Sequence, residues 1–127
     1  MTIRELVSGA IVEMKPTDTL RKAAELMKES EVGSIAVEVD GALEGIFTER
    51  DVLNAVAQFA DLDRDPISNW MTSLPDTFGP EMSVDDAADW MLATGYRHLP
   101  VVDEMGKVLG MVSIKDVLWA ITDPTTE

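Results

Sequence analysis

The chain contains no cysteine. That excludes disulfides, thiolate metal ligands and cysteine nucleophiles, and it suits a reducing compartment, so a cytoplasmic location is expected. No apolar run approaches the roughly 20 residues that a membrane-crossing helix needs. The opening Met1-Thr2-Ile3-Arg4-Glu5 has no charged stretch followed by an apolar one, so neither a signal peptide nor a membrane role is expected. Basic residues are few, 10 Lys and Arg against 24 Asp and Glu, for a net charge of −14. A surface this acidic repels phosphate backbones, and nucleic acid is not an expected partner. It also opposes small anionic ligands unless a local basic cluster offsets it, because charges beyond a Debye length of ~8 Å are largely screened. The single histidine, His98, has no clear acidic partner in the sequence. Neither an activated nucleophile nor a catalytic carboxylate pair is evident, so no enzyme is expected. Asp61, Asp63 and Asp65 lack the glycine and terminal glutamate of a calcium loop and read as a solvated connector, with no metal site.

What the chain does have is length for one compact domain, 127 residues with 46% apolar and 27% charged residues, and an internal repeat. Shifted by roughly 64 residues, Ile3 falls on Ile67, Pro16 on Pro80, Thr19-Leu20 on Ser83-Val84, Ala23-Ala24 on Ala87-Ala88, Met27 on Met91 and Val37 on Val101. After one inserted residue near Glu104, Gly41 falls on Gly106, Gly45 on Gly110, Thr48 on Ser113 and Asp51-Val52-Leu53 on Asp116-Val117-Leu118. The register survives caps, turns and core positions alike. It divides the chain into a first copy over 1–60, a polar connector over 61–66, a second copy over 67–122 and a frayed tail over 123–127.

Each copy reads as helix, strand, strand, helix. Thr19 caps a helix with the stripe Leu20, Ala23, Ala24 and Met27; Ser83 caps one with Val84, Ala87, Ala88 and Met91, and Asp86 is placed for a capping box. Strands follow at 35–39 and 99–102, turns at Asp40-Gly41 and Glu104-Met105-Gly106, and return strands at 43–47 and 108–112. The closing helices carry Val52, Leu53 and Val56 in one copy and Val117, Leu118 and Ile121 in the other. A unit of about 60 residues with so few large apolar side chains is marginal alone, so the copies are expected to pack together.

The most informative segments are Gly45-Ile46-Phe47-Thr48-Glu49-Arg50-Asp51 and Gly110-Met111-Val112-Ser113-Ile114-Lys115-Asp116. In one copy alone, a hydroxyl followed three residues later by an acid is an ordinary capping box. The same groups also suit a sugar phosphate. A helix N-terminus offers unpaired amides to phosphate, the hydroxyl can donate to it, and an ionised aspartate accepts two hydrogen bonds from a ribose diol. The two uses are compatible. Arg97 and His98, beside Tyr96 and ahead of Pro100, place two potentially cationic side chains at a strand start; a guanidinium fork suits phosphate, while a surface ion pair and a strand-edge histidine are the plainer alternatives.

The repeated order of capped helix, strand, turn, strand and Gly-apolar-x-apolar-Thr/Ser-x-x-Asp, with the run Arg97-His98-Leu99-Pro100-Val101-Val102-Asp103, resembles the cystathionine-β-synthase-type (CBS) domain family over 3–121. The resemblance implies an α+β fold of two pseudo-symmetric repeats of β-α-β-β-α type, packed sheet to sheet as a stand-alone regulatory module with two clefts. It implies adenine nucleotides as regulatory ligands (AMP, ADP or ATP, with NAD or S-adenosylmethionine in some relatives), no catalytic cofactor, a homodimer, and a separate enzyme or transporter as the regulated partner. By resemblance, Ser113 and Asp116 would hold phosphate and ribose in one cleft, Arg97 and His98 would complete its phosphate end, and adenine would lie near Ala10, Ile11, Val12 and Val32. Thr48 and Asp51 would serve the other cleft, its base near Tyr96, Pro100 and Leu74-Pro75-Asp76. Backbone groups of Ile46 and Met111 would read the base edge. The first copy departs from the pattern, with Gly33-Ser34 in place of Arg97-His98 and Ala36 in place of Pro100, which implies unequal sites. The alternative is an interaction or dimerisation scaffold with vestigial sites.

Overall fold

The computed structural model describes residues 1–7 and 12–122, and the expectations for Ala10, Ile11 and the tail 123–127 lie outside the described residues. The elements are β1 (Glu13–Met14), α1 (Leu20–Ser30), β2 (Ser34–Val39), β3 (Ala42–Thr48), α2 (Glu49–Ala57), β4 (Thr72–Ser73), α3 (Val84–Thr94), β5 (His98–Val102), β6 (Val108–Ser113) and α4 (Ile114–Thr122), with 3₁₀ turns at Ile3–Leu6 and Ile67–Asn69. This is the α+β order of β-α-β-β-α type that the resemblance implies for each copy, with β1 and β4 as the leading strands; at two residues each they are too short to show a periodicity.

The chain forms two compact units, Val12–Pro75 and Met1–Ile11 with Asp76–Glu127. The first holds a sheet of order β1-β2-β3-β4, in which β1 runs parallel to β2 and the other pairs are antiparallel. The β2–β3 hairpin turns on Asp40 and Gly41, both at positive φ (52° and 82°), as a tight two-residue turn between right-twisted strands requires. Leu20, Ala23 and Met27 of α1 are buried against Ile35, Val37 and Phe47. The second unit pairs β5 with β6, and Phe78 bridges to Val101 where the first unit has β1. Val84, Ala87 and Met91 of α3 bury against Leu99, Val101 and Val112. Ser83 Oγ accepts from the Asp86 amide at 3.0 Å; the returning bond of the expected capping box is not made among the described residues.

The units do not follow the repeat boundaries at their leading segments. Ile3, which opens the first repeat, is fully buried in the core of α3, β5 and β6. Its amide donates to Met82 O at 2.8 Å, and that of Arg4 to Pro80 O at 3.1 Å. Its counterpart Ile67 is buried in the core of α1, β2 and β3, where its amide donates to Asp18 O at 2.9 Å and that of Ser68 to Pro16 O at 3.1 Å. The same two bonds, 64 residues apart in the repeat, therefore dock each leading segment ahead of the helix of the opposite repeat.

The apolar residues of the closing helices divide between core and solvent. Their inward row is Ala55 with half-buried Val52 in α2, and Val117 with Ala120 in α4, while Leu53, Val56, Leu118 and Ile121 are exposed. Alanine rather than a larger residue serves where these helices lie close to the sheets.

Gly45 sits where β4 crosses β3. A Cβ there would lie 2.6 Å from Met71 Sδ and 2.8 Å from the backbone oxygen of Thr72, and the backbone neighbour cannot swing aside. Gly45→Ala is expected to lower stability by about 1–3 kcal/mol, the range for overpacking, measured by urea unfolding. Ile3→Ala is expected to cost about 2–5 kcal/mol and to remove amide-exchange protection from β5 and β6 first. Early loss in β2 and β3 instead would contradict the exchanged segments.

Candidate functional site

In both units a strand passes into a helix with no loop between them, and the joint is a hydroxyl–carboxylate clasp. Thr48 ends β3 and caps α2 in an extended conformation; its amide donates to Asp51 Oδ2 at 2.8 Å and its hydroxyl to the same oxygen at 3.4 Å, within a reciprocal capping box. Ser113 ends β6 ahead of α4. Its amide and its hydroxyl each donate to Asp116 Oδ2 at 2.9 Å, and its Oγ accepts from the Asp116 amide at 3.3 Å. All of these carboxylate bonds converge on Oδ2. Among the described residues nothing donates to Oδ1 of either aspartate.

The first helical amide is also used in each case: Glu49 N–H donates to Gly33 O at 3.2 Å, and Ile114 N–H to Arg97 O at 2.8 Å. Among the described residues nothing accepts from the amides of Arg50 and Lys115. Each helix start thus has one amide without an acceptor among the described residues, at the positive end of its dipole and on a basic residue. These two residues were missed by the reading of the sequence. The signal was there, as a cation before the aspartate in both Thr48-Glu49-Arg50-Asp51 and Ser113-Ile114-Lys115-Asp116.

The units differ in what surrounds the clasp. In the Asp116 unit the strand register sets His98 opposite Ser113, and the Arg97 carbonyl holds the first amide of α4, so both residues are brought to the clasp. Met111 lies opposite Pro100, whose side chain is fully buried. Tyr96 is 54% exposed and stacks on Trp90, ring centres 5.5 Å apart, with Phe78 edge-on to Trp90 at 4.8 Å. In the Asp51 unit Ser34 lies opposite Thr48 and is buried, and no cation stands beside it in β2. Ile46 lies between Ala36 and Thr72, paired on both sides. The Val12 carbonyl accepts from the Ala36 amide at 3.0 Å, and Val32 and Pro75 are half-buried in the same unit. The described residues contain no group of three or more His, Asp or Glu side chains fit to hold a metal ion.

Burial raises the Asp51 carboxyl above its ordinary value of 3.8, against the lowering effect of the Thr48 amide and hydroxyl and the charge of Arg50. The fold therefore favours the protonated acid. The stability contributed by Asp51 is fully present below its unfolded pKa and is lost as pH rises through the higher folded value. Asp51→Asn keeps an oxygen for the Thr48 amide and removes the charge. The variant is expected to melt at or above the wild-type temperature at pH 7, with the difference shrinking toward pH 4. A variant that melts well below wild type at pH 7 would mean that capping by the ionised carboxylate outweighs its burial.

The CBS domain family model matches residues 3–58 and again 66–123. An uncharacterized 17.7 kDa protein of Acidianus ambivalens is 35% identical over 125 residues, covering 98% of this chain and 75% of the relative. The CBS domain-containing protein YhcV of Bacillus subtilis is 32% identical over 91% of this chain and 82% of its own length. Among solved structures, a CBS domain protein from Pyrobaculum aerophilum complexed with AMP superposes with a TM-score of 0.84 at 31% identity, covering 91% of this chain and 89% of that one. The duplicated helix–strand–strand–helix order, the twice-formed clasp and these matches agree, and the chain belongs to the CBS domain family as a tandem pair of CBS repeats.

Proposed function

We propose that the chain is a regulatory module that binds an adenine nucleotide through its two hydroxyl–carboxylate clasps and catalyses no reaction. The observation that carries this reading is the clasp made twice with the same chemistry: among the described residues, one carboxylate oxygen caps its helix and the other has no donor, and the preceding residue, basic in both units, has an amide without an acceptor. The open oxygen suits a ribose diol, and the amide and cation suit a phosphate. The relative from Pyrobaculum aerophilum, solved with AMP, supports the ligand class.

Ser113 carries a constraint that Thr48 largely escapes. Its single hydroxyl proton is given to Asp116 at 2.9 Å, while the Thr48–Asp51 bond is longer at 3.4 Å. Donation from Ser113 to a phosphate breaks its bond to Asp116, and Arg97 supplies compensating attraction. The Asp116 clasp is therefore the one suited to higher phosphate charge (ADP or ATP), and the Asp51 clasp to AMP. A nucleotide that binds one conformation of the module better than another shifts its population toward that conformation. The reader of that shift is a separate enzyme or transporter, and the module self-associates as a homodimer.

The scaffold reading, with both clasps used only as helix caps, is the competitor. A thermal-shift series with AMP, ADP, ATP and NAD separates the two. A ligand at a hundredfold its dissociation constant adds about 2.7 kcal/mol of stability; no shift with any of them would favour the scaffold. By calorimetry, Asp51→Ala is expected to remove AMP binding at one site and leave ATP binding at the other. Arg97→Ala is expected to weaken ATP roughly tenfold, the worth of one charged hydrogen bond of about 1.5 kcal/mol, and AMP far less. Equal losses for the two nucleotides would contradict the unequal sites.

A further inference from the structure

Among the described residues four helical segments open on a hydroxyl with an acid three residues later, and one of them behaves differently. Glu5, Asp51 and Asp116 each accept from the amide of their own cap, Thr2, Thr48 and Ser113. Asp86 does not. Its amide donates to Ser83 Oγ, but among the described residues its carboxylate accepts no hydrogen bond and joins no ion pair. Asp89, three residues on, has no partner there either, and both are exposed. Acids in a first turn favour the helix dipole, but Asp89 lies beyond that turn. Trp90 stands one turn after Asp86 on the same flank of α3. Tyr96 stacks on it with the rings 15° from parallel, and Phe78 meets it edge-on. Tyr96 keeps just over half of its surface in solvent, so the stack reaches the exterior.

The first repeat shows what the frame itself requires. At the places of Asp86, Asp89, Trp90 and Tyr96 it has Lys22, Glu25, Leu26 and Val32. There Lys22 pairs with Asp18, and its neighbour Arg21 with Asp63. α1 carries three basic and two acidic residues, a net charge of +1, whereas α3 carries three acidic and no basic residues, a net charge of −3. The same helix, strand and core thus form with aliphatic side chains and nearly balanced charge. Packing demands neither the aromatic stack nor the unspent carboxylates beside it. Together they have one common chemistry. The face of an aromatic ring attracts a cation through its quadrupole. A planar guanidinium stacks on such a ring while its fork bonds a carboxylate; a compact, strongly hydrated ammonium gains less from the ring. Phosphate is repelled by the same carboxylates.

We propose that the Trp90–Tyr96 stack, with Asp86 and Asp89, is a docking site for an arginine-bearing basic segment of a partner protein. All of its residues belong to one unit, and the site is separate from the two clasps. The test titrates fluorescein-labelled hexa-arginine with the full-length chain and follows anisotropy, with labelled hexa-lysine as a probe of equal charge. The chain is expected to bind hexa-arginine about fivefold more tightly than hexa-lysine, the worth of one exposed contact between a cation and a ring. Trp90→Leu installs the residue found at the Leu26 place, leaves the net charge unchanged and is expected to abolish that preference. Asp86→Asn with Asp89→Asn is expected to weaken hexa-arginine severalfold. In the unmodified chain, hexa-arginine is expected to shift the indole N–H resonance of Trp90 more than those of Trp70 and Trp119. Several results would overturn the proposal: no binding of hexa-arginine, equal affinity for the two peptides, or larger shifts at the other two tryptophans. So would an arginine preference that survives Trp90→Leu in a chain that still melts cooperatively, or an unchanged affinity after the two aspartate substitutions. Attraction to the net charge of −14 would then account for any binding seen.

Discussion

The clasp between a cap hydroxyl and the carboxylate three residues on is the interaction from which the rest of the structure follows. A strand that becomes a helix without a loop leaves the first amides of that helix without intrahelical partners. Here the neighbouring strand takes the first, through the carbonyl of Gly33 or Arg97, and the Ser113 oxygen takes the third in α4. Oδ2 of the aspartate then satisfies the amide of the cap residue itself. Among the described residues one amide and one carboxylate oxygen of adjacent residues are left over in each unit. The corner of the fold and the proposed grip on a ligand draw on the same few atoms, and burial of Asp51 is the energetic consequence.

A second constraint is core size. One repeat supplies a two-stranded hairpin and two helices whose inward faces are largely alanine and methionine. Each unit is completed by a leading segment from the other repeat, Ile3 in one and Ile67 in the other, both fully buried. Burying an isoleucine contributes about 1.5–3 kcal/mol, a large increment for a unit this small. The segments also hold the helix that opens each unit: Ile67 and Ile3 dock just ahead of α1 and α3 through matching backbone bonds.

Within this shared frame the repeats have diverged in charge and aromatic content. Arg97-His98 and Gly33-Ser34 occupy the same place beside the two clasps, and the Trp90–Tyr96 stack stands where the first repeat has Leu26 and Val32. The helices α1 and α3 have diverged further still, to opposite net charge. None of these changes disturbs the shared order of elements: most fall on exposed or strand-end positions, and Trp90 stands where Leu26 does, half-buried against the core of its unit. They alter what each unit attracts.

The sequence by itself determined the repeat, the order of helices and strands, the turn at Asp40-Gly41 and the pairing of Thr48 with Asp51 and Ser113 with Asp116, because caps, turns and hydrophobic period act over only a few residues. The two-residue strands β1 and β4 have no local signature and were implied by the family resemblance alone; they exist through pairing with β2 and β3. Tertiary structure alone decided that Ile3 and Ile67 exchange units, that Ala55 and Ala120 face inward while Leu53 and Leu118 face out, and that one carboxylate oxygen of each aspartate stays open. The physical reason is common to all three. Which apolar face is buried, and which lone pair is spent, depend on neighbours distant in the chain, and those neighbours are fixed only when the sheets and helices have packed.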